Sequence, residues 1–155
     1  MFGGKVIEKF ITILDQVDFP SRFRNDLKGA SKEVIIYCPY VEPGSPGYRA
    51  LINDLKEAVT RNVDVKVVVR EDIDRKKVEE LINSGIKVYR RKTHVKAAII
   101  DNKTIYIGSL NMLSSWLVED VMIRISGITG KIIPKILSKK LFEEIKPPSE
   151  EERIT

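Results

Sequence analysis

The single histidine, His94, is the residue with the clearest chemical potential in this chain. Lys96 lies two positions later, and Ser109 and Asn111 close the same stretch, HVKAAIIDNKTIYIGSLN. Neutral imidazole is nucleophilic near pH 7, whereas ammonium, hydroxyl and carboxamide groups donate hydrogen bonds to phosphate oxygens. These residue types together predict a phosphate site with His94 as the candidate nucleophile.

Two apolar runs in this stretch, separated by the turn-forming pair at 102–103, predict a β-hairpin. With a two-residue turn, Lys96 lies opposite Ser109 and His94 lies opposite Asn111. Directly opposed residues have Cβ atoms about 4.5–5.5 Å apart. The register therefore predicts that the four side chains share one side of the sheet.

Two further residues of the stretch have expected roles in the backbone. Asp101 falls on the opposite face of the predicted hairpin, so we expect it to be structural and to fix the turn or the backbone. Gly108 lacks a side chain, which would allow the backbone to approach a phosphate closely.

The string His94-x-Lys96-x4-Asp101-x6-Gly108-Ser109-x-Asn111 resembles the HKD motif of the phospholipase D superfamily at every defining position. The resemblance extends over about residues 30–127 and is closest in size to the small single-motif nucleases of bacteria and archaea. A pattern of this length with six fixed identities is highly specific.

The resemblance implies a mechanism for the site. His94 would attack the phosphorus of a diester to give a covalent phosphohistidine, and a second histidine would protonate the leaving alkoxide. Lys96, Ser109 and Asn111 would bind the phosphate charge, so the resemblance implies no metal and no cofactor. Asp101 belongs to the same motif.

Two consequences follow from the family pattern. A carboxylate beyond the motif orients the nucleophilic imidazole in that family, and Glu119 is the best candidate here, with Asp120 as the alternative. The chain carries one motif and one histidine. An imidazole bonded to phosphorus cannot also protonate the leaving group, so we expect a homodimer that brings two copies of His94 to one phosphate.

Strands must position these residues. The segments 33–40, 63–70 and 85–91 have the density of β-branched residues typical of buried strands, and they alternate with helical patterns at 48–61 and 71–85. This order predicts an α/β fold with a mixed, mainly parallel β-sheet flanked by helices, as in the phospholipase D-like fold. We expect an opening amphipathic helix through Val6–Val17, a single domain over 1–146 and a flexible tail over 147–155.

Composition limits the partners. The chain has 155 residues and a formal net charge of +5, which favours polyanionic partners. One cysteine, Cys38, excludes an intrachain disulfide. The opening residues lack the pattern of a signal peptide, and no apolar run is long enough to span a bilayer, so we expect a cytoplasmic protein without a membrane partner.

A basic run leads directly into the motif. Arg90, Arg91 and Lys92 immediately precede Thr93 and His94. These residues either track a nucleic-acid backbone or form a solvated edge, and the sequence weighs the two equally.

These observations favour a metal-independent phosphodiesterase or endonuclease acting on nucleic acid, with DNA ahead of RNA, directed in some settings by a helicase or modification partner. Two alternatives stay open. One is a phospholipid phosphodiesterase or phosphatidyltransferase, and the other is a nucleic-acid-binding module with little turnover.

Overall fold

The computed structural model describes residues 10–116, 119–127, 135 and 137–155. A seven-stranded sheet with the order β1-β7-β6-β5-β2-β3-β4 organises these residues. The strands are β1 (Ile11–Asp15), β2 (Glu33–Tyr37), β3 (Asp64–Arg70), β4 (Lys87–Arg91), β5 (Lys96–Ile100), β6 (Thr104–Gly108) and β7 (Val121–Ser126).

The expected α/β fold is confirmed, but the expected balance of strand directions is wrong. The β2–β3 and β3–β4 pairs are parallel, whereas the β1–β7, β2–β5, β5–β6 and β6–β7 pairs are antiparallel. The sequence shows the helical crossovers of the parallel half clearly. It does not show that the β5–β6 hairpin inserts beside β2 and makes most of the sheet antiparallel.

Helices cover both faces of the sheet. On one face α1 (Phe19–Gly29), α2 (Pro46–Thr60) and α3 (Glu79–Asn83) pack against the larger apolar core. On the other face α4 (Lys139–Ile145) packs against a smaller core that includes Tyr37, Ala97 and Ile105. Among the described residues, no helix is long and apolar enough to cross a membrane.

Local sequence explains where the long helices begin. The hydroxyl of Ser45 accepts a hydrogen bond from the backbone N–H of Tyr48, and Pro46 occupies the first turn, so α2 begins with a capped end. In α1, Phe19, Phe23 and Leu27 recur every four residues and are all buried. The sequence does not indicate α1, because its other positions are mostly polar.

The hairpin register differs from the predicted one by one residue. Ile100 pairs with Thr104 and Lys96 pairs with Gly108, so the turn contains three residues, 101–103. Asp101 and Asn102 adopt left-handed backbone angles, with φ of 52° and 53°. Asp and Asn tolerate this conformation better than most other residues, so the turn begins at Asp101, one residue earlier than predicted.

Asp101 ties this turn to the start of β2. Its carboxylate accepts hydrogen bonds from the backbone N–H groups of Ser31, Lys32 and Glu33 at 2.8–2.9 Å. Burial acts to raise the pKa of Asp101, but these hydrogen bonds outweigh it and hold the pKa below its usual value. Its contacts are therefore those of a structural residue, as its expected position in the hairpin indicated.

Two other expectations about elements are corrected. Residues 11–15 form the edge strand β1 and not a helix, because β-branched Ile and Thr alternate there and pair with β7; the earlier part of the expected helix lies outside the described residues. The expected helix at 71–85 is reduced to a 3₁₀ turn, Arg75–Lys77, and the short α3.

The C-terminal segment contacts the sheet, although the sequence favours a flexible tail over 147–155. The backbone of Arg153 forms an antiparallel β-bridge with Tyr89 of β4, and the backbone N–H of Ile154 donates to the carbonyl of Val88 at 2.8 Å. The Ile154 side chain is buried against the larger core. The sequence does not indicate this contact, because a single isoleucine among charged residues forms no periodic pattern.

We predict that Asp101→Asn lowers the free energy of unfolding by about 1–3 kcal/mol at pH 7, because a charged acceptor of three backbone hydrogen bonds is lost. Hydrogen bonding lowers the pKa of Asp101 in the folded wild-type protein. The contribution of Asp101 to stability is therefore fully present above the unfolded-state pKa and is lost as the pH falls through the folded-state pKa. Urea unfolding at several pH values measures both effects. Glu57→Gln, at an exposed position of α2, is the control, and equal stability of the Asp101→Asn variant at pH 7 would contradict the assignment.

Candidate active site

One edge of the sheet collects one end of each of the seven strands, and we call it the site edge. The carboxyl ends of β1, β2, β3, β4 and β6 meet there with the amino ends of β5 and β7. The registers show this: Tyr37 pairs with Ala97, and Gly108 pairs with both Lys96 and Met122. Residues that immediately precede β5, follow β6 or precede β7 are therefore neighbours along this edge.

His94 lies two residues before β5 and is exposed at the site edge. It lines a cavity of about 240 Å³ whose wall includes Arg70, Arg91 and Lys92. The ammonium of Lys96 donates to the backbone carbonyl of His94 at 3.3 Å. The imidazole is thus accessible to a ligand, with basic groups around it.

Ser109 follows β6 and connects to the start of β7. Its hydroxyl donates to a carboxylate oxygen of Asp120 at 2.8 Å and accepts from the backbone N–H of Val121 at 3.0 Å. Glu119, the first choice from the sequence, is exposed. Asp120, the alternative, is the carboxylate that contacts a motif residue.

Asn111 lies in the loop that follows Ser109, and backbone hydrogen bonds fix this loop against the segment after β2. Glu42 N–H donates to the carbonyl of Leu113, and Gly47 N–H donates to the carbonyl of Ser114, both at 2.9 Å. A Cβ at Gly47 would collide with the carbonyls of Met112 and Ser114, so glycine is required there. The side-chain oxygen of Asn111 is buried and accepts no hydrogen bond from the described residues.

Cys38 is a buried contact between these loops. Its thiol donates to the carbonyl of Tyr40 at 3.0 Å and accepts from Leu113 N–H at 3.4 Å. Burial raises the pKa of the thiol to about 12, so it stays protonated and unreactive.

The structure separates the three residues of the basic run. Lys92 is exposed beside His94. Arg90 lines a different cavity, with Arg75 and residues 151–155, and donates to the carbonyl of Ile73. Arg91 is the least available, because its guanidinium binds both carboxylate oxygens of Glu152, at 2.7 and 3.0 Å, and also the carbonyls of Glu144 and Lys146.

The sequence left open whether Arg90 and Arg91 track a nucleic-acid backbone or form a solvated edge, and in the structure both guanidiniums have partners within the protein. Arg91 is a largely buried partner in an ion pair, with 10% of its side chain exposed. It joins β4 to the C-terminal segment. The sequence could not show this, because the partners lie more than 50 positions away along the chain.

Of the two motif residues with expected backbone roles, Asp101 keeps that role and Gly108 does not. Asp101 lies at the opposite end of β5 from His94, away from the site edge. Gly108 lies against β7, where a Cβ would overlap the carbonyl of Val121 and approach the Cα of Met122. Glycine is required there for strand packing, and this requirement replaces the expected close approach to phosphate.

Two further residues at the site edge, Tyr40 and Arg70, were not among those that the sequence indicated. Tyr40 follows β2 and is 42% exposed, whereas the other four tyrosines are buried. Arg70 ends β3, lines the His94 cavity and lies with its guanidinium carbon 5.0 Å from the centre of the Tyr40 ring. A polar aromatic residue just after a buried strand was the available signal.

Known structures share this architecture. The phospholipase D family member Nuc from Salmonella typhimurium aligns with a TM-score of 0.66 at 18% identity, covering 93% of this chain and 97% of the other. NucT from Helicobacter pylori aligns with a TM-score of 0.65 at 18% identity and the same coverage. TrmBL2, titled an archaeal chromatin protein, aligns at 0.61 and 14% identity over 91% of this chain and 51% of its own. The fold is therefore that of phospholipase D-like proteins.

Sequence comparison assigns the family. Residues 23–125 match the family described as "Cardiolipin synthase, PLD-like domain". Cardiolipin synthase of Clostridium perfringens is 28% identical over 97 residues, which are 56% of this chain and 20% of that protein. The chain thus spans about a fifth of the length of this curated relative. It belongs to the phospholipase D-like family, as the motif indicated.

We predict opposite effects for two adjacent basic residues. Arg91→Ala should destabilise the fold by about 3–5 kcal/mol, because Glu152 would lose its partner in a largely buried ion pair. Lys92→Ala should leave the free energy of unfolding within about 0.5 kcal/mol and weaken binding of an oligonucleotide. Chemical unfolding and fluorescence anisotropy measure the two quantities. If the Arg91→Ala protein is as stable as wild type but binds the oligonucleotide more weakly, Arg91 contacts the ligand and the prediction is wrong.

Proposed function

We propose that the protein is a metal-independent phosphodiesterase that cleaves nucleic acid, with DNA ahead of RNA, through a covalent phosphohistidine. The observation that carries this proposal is the exposed His94 in a cavity lined by Arg70 and Lys92, on the edge where the Ser109 and Asn111 loop begins. An accessible nucleophile surrounded by basic groups matches a phosphodiester, which is anionic and has an electrophilic phosphorus.

The chemistry would proceed in two displacements. An imidazole nitrogen of His94 forms a bond to phosphorus while the bond from phosphorus to the leaving oxygen breaks, and the leaving alkoxide takes a proton from a second imidazole. Water then attacks the phosphohistidine, the second imidazole accepts its proton, and the N–P bond breaks. The products are an alcohol and a phosphomonoester, and His94 is regenerated.

The surrounding residues would act through charge and orientation. Lys96 and Asn111 would donate to the phosphate oxygens as charge increases on them. Asp120 would orient the Ser109 hydroxyl through the contact between them. Orienting the nucleophilic imidazole remains a proposed role for Glu119 or Asp120, of which Asp120 is the better connected in the structure.

In this proposal the second imidazole comes from a second copy, because His94 is the one histidine in this sequence. We assign the contact between copies to the β1–β7 face, defined by Ile11, Ile13, Val121, Ile123 and Ile125. Val121 and Ile13 are 51% and 71% exposed. Val121 also begins β7 at the site edge, so a copy bound here would reach the site. An exposed apolar sheet face of this kind matches a two-fold contact between identical copies.

The chemistry can be tested without any metal. We expect the wild-type protein to cleave single-stranded DNA in excess EDTA, and His94→Asn to lose activity by about 10³-fold or more, because the nucleophile is absent. A discontinuous gel assay measures cleavage, and acid-quenched labelling detects the covalent intermediate. Lys103→Ala, in the hairpin turn at the far end of β5, is the control. Strict dependence on added divalent metal would refute the proposed chemistry.

Disruption of the β1–β7 face should separate the copies. We expect Ile13→Glu to sediment as a monomer and to lose cleavage, because a charge at the centre of an apolar contact is costly to bury. Its free energy of unfolding should change by less than about 0.5 kcal/mol, since Ile13 is exposed in the single chain. Thr60→Glu, at the end of α2, is the control for added charge. A fully active monomer would exclude the shared site.

A second candidate function, phosphatidyl transfer or phospholipid hydrolysis, is favoured by the family description and by the cardiolipin synthase relative. The phosphodiester chemistry would be the same, and the two differ in the groups attached to phosphorus. A third, nucleic-acid binding with little turnover, is supported by the fold shared with TrmBL2. Parallel assays with phosphatidylglycerol vesicles and single-stranded DNA distinguish the three.

A further inference from the structure

A second cavity lies next to the His94 cavity and has a different chemical character. It measures about 290 Å³, close to the lower limit of about 300 Å³ for small-molecule sites. Tyr40, Arg70 and Ile73 contribute to its wall. Arg70 and Asp72 line both cavities, so they form the partition between them.

The charges of the two cavities differ. Around His94 the basic groups Arg70, Arg91 and Lys92 outnumber the acidic groups Glu71 and Asp72, although Arg91 is already paired with Glu152. The second cavity has two basic groups, Arg70 and Lys77, and two acidic groups, Asp72 and Asp74. The first cavity therefore favours an anion, whereas the second suits an uncharged group that can both donate and accept hydrogen bonds.

Tyr40 presents a fixed aromatic ring to this second cavity. Arg70 donates a hydrogen bond to the tyrosine hydroxyl and lies beside the ring, 5.0 Å from its centre. Asp72 in turn binds the same guanidinium at 2.6 Å. The ring is thereby held in place although 42% of the side chain is exposed. An exposed, immobilised ring loses little conformational entropy when another ring stacks on it.

We propose that Tyr40 and Arg70 form a nucleobase subsite, which holds the base adjacent to the phosphate at His94. This inference rests on the proposed function and extends it, because it commits the substrate to single-stranded nucleic acid. A base must leave the helical stack to reach Tyr40, and a phospholipid has no aromatic group to place there. Stacking on a tyrosine tolerates any base, so we expect little sequence preference.

The test compares two ligands of equal charge. One is a fluorescent 12-mer of thymidine, and the other is a 12-mer in which every sugar lacks its base. Binding is measured by anisotropy at fixed ionic strength with the His94→Asn protein, so that no cleavage occurs. We expect this protein to prefer the thymidine 12-mer, and we expect Tyr40→Ala to reduce that preference by about 5- to 100-fold, the range for loss of one stacked base. Tyr40→Phe should retain most of the preference.

The controls separate the possible failures. Thermal unfolding of Tyr40→Ala confirms folding, and Lys103→Ala controls for an unrelated surface change. An equal loss of affinity for both 12-mers, or no loss for either, would overturn the subsite while leaving the proposed phosphodiesterase intact. If neither 12-mer binds the His94→Asn protein and wild-type protein cleaves phosphatidylglycerol, both the subsite and the nucleic-acid function are refuted.

Discussion

The antiparallel pairing of β5 with β2 is the constraint on which the site depends. Because the two strands run in opposite directions, the amino end of β5 meets the carboxyl end of β2, and His94 is placed beside the Cys38–Tyr40 segment. Asp101 fixes this alignment from the other end of the strand by binding three consecutive backbone N–H groups at 31–33. A slip of one residue would reverse the face of every β5 side chain, so a carboxylate distant from the site controls where Lys96 lies.

The charges at the site edge are largely arranged before any ligand arrives. Arg91 is bound to Glu152 and to backbone carbonyls, and Arg70 is bound to Asp72 and Tyr40. Their positions are therefore set by the fold, whereas Lys92 is exposed and can adapt. Fixed dipoles and charges stabilise developing negative charge without the cost of reorganising at the moment of reaction. The C-terminal segment contributes to this arrangement because it supplies the partner of Arg91.

The sequence was sufficient for the family and the main strands, because each has a local signature. The spacing from His94 to Asn111 and the β-branched runs of β2 and β3 are of this kind. Sequence reasoning failed where the outcome depends on distant partners. It could not show that Arg91 binds Glu152, that β5 inserts next to β2, or that Ile154 returns to the core. The hairpin register failed for a subtler reason, since Asp101 accepts the left-handed conformation as readily as Asn102 does.

The spacing of the motif residues reflects the lengths of β5 and β6 and of the turn between them. Lys96 is the first residue of β5, Asp101 is the first residue of the turn, and Gly108 is the last residue of β6. The four positions between Lys96 and Asp101 are thus the remainder of β5, and the six between Asp101 and Gly108 are the rest of the turn and of β6. Gly108 and Ser109 then attach β7, through close backbone packing and through hydrogen bonds to Asp120 and Val121. Inserting one residue in either interval would break the pairing of Lys96 with Gly108 or that of Gly108 with Met122, so the motif preserves the geometry of a hairpin as well as the chemistry of its side chains.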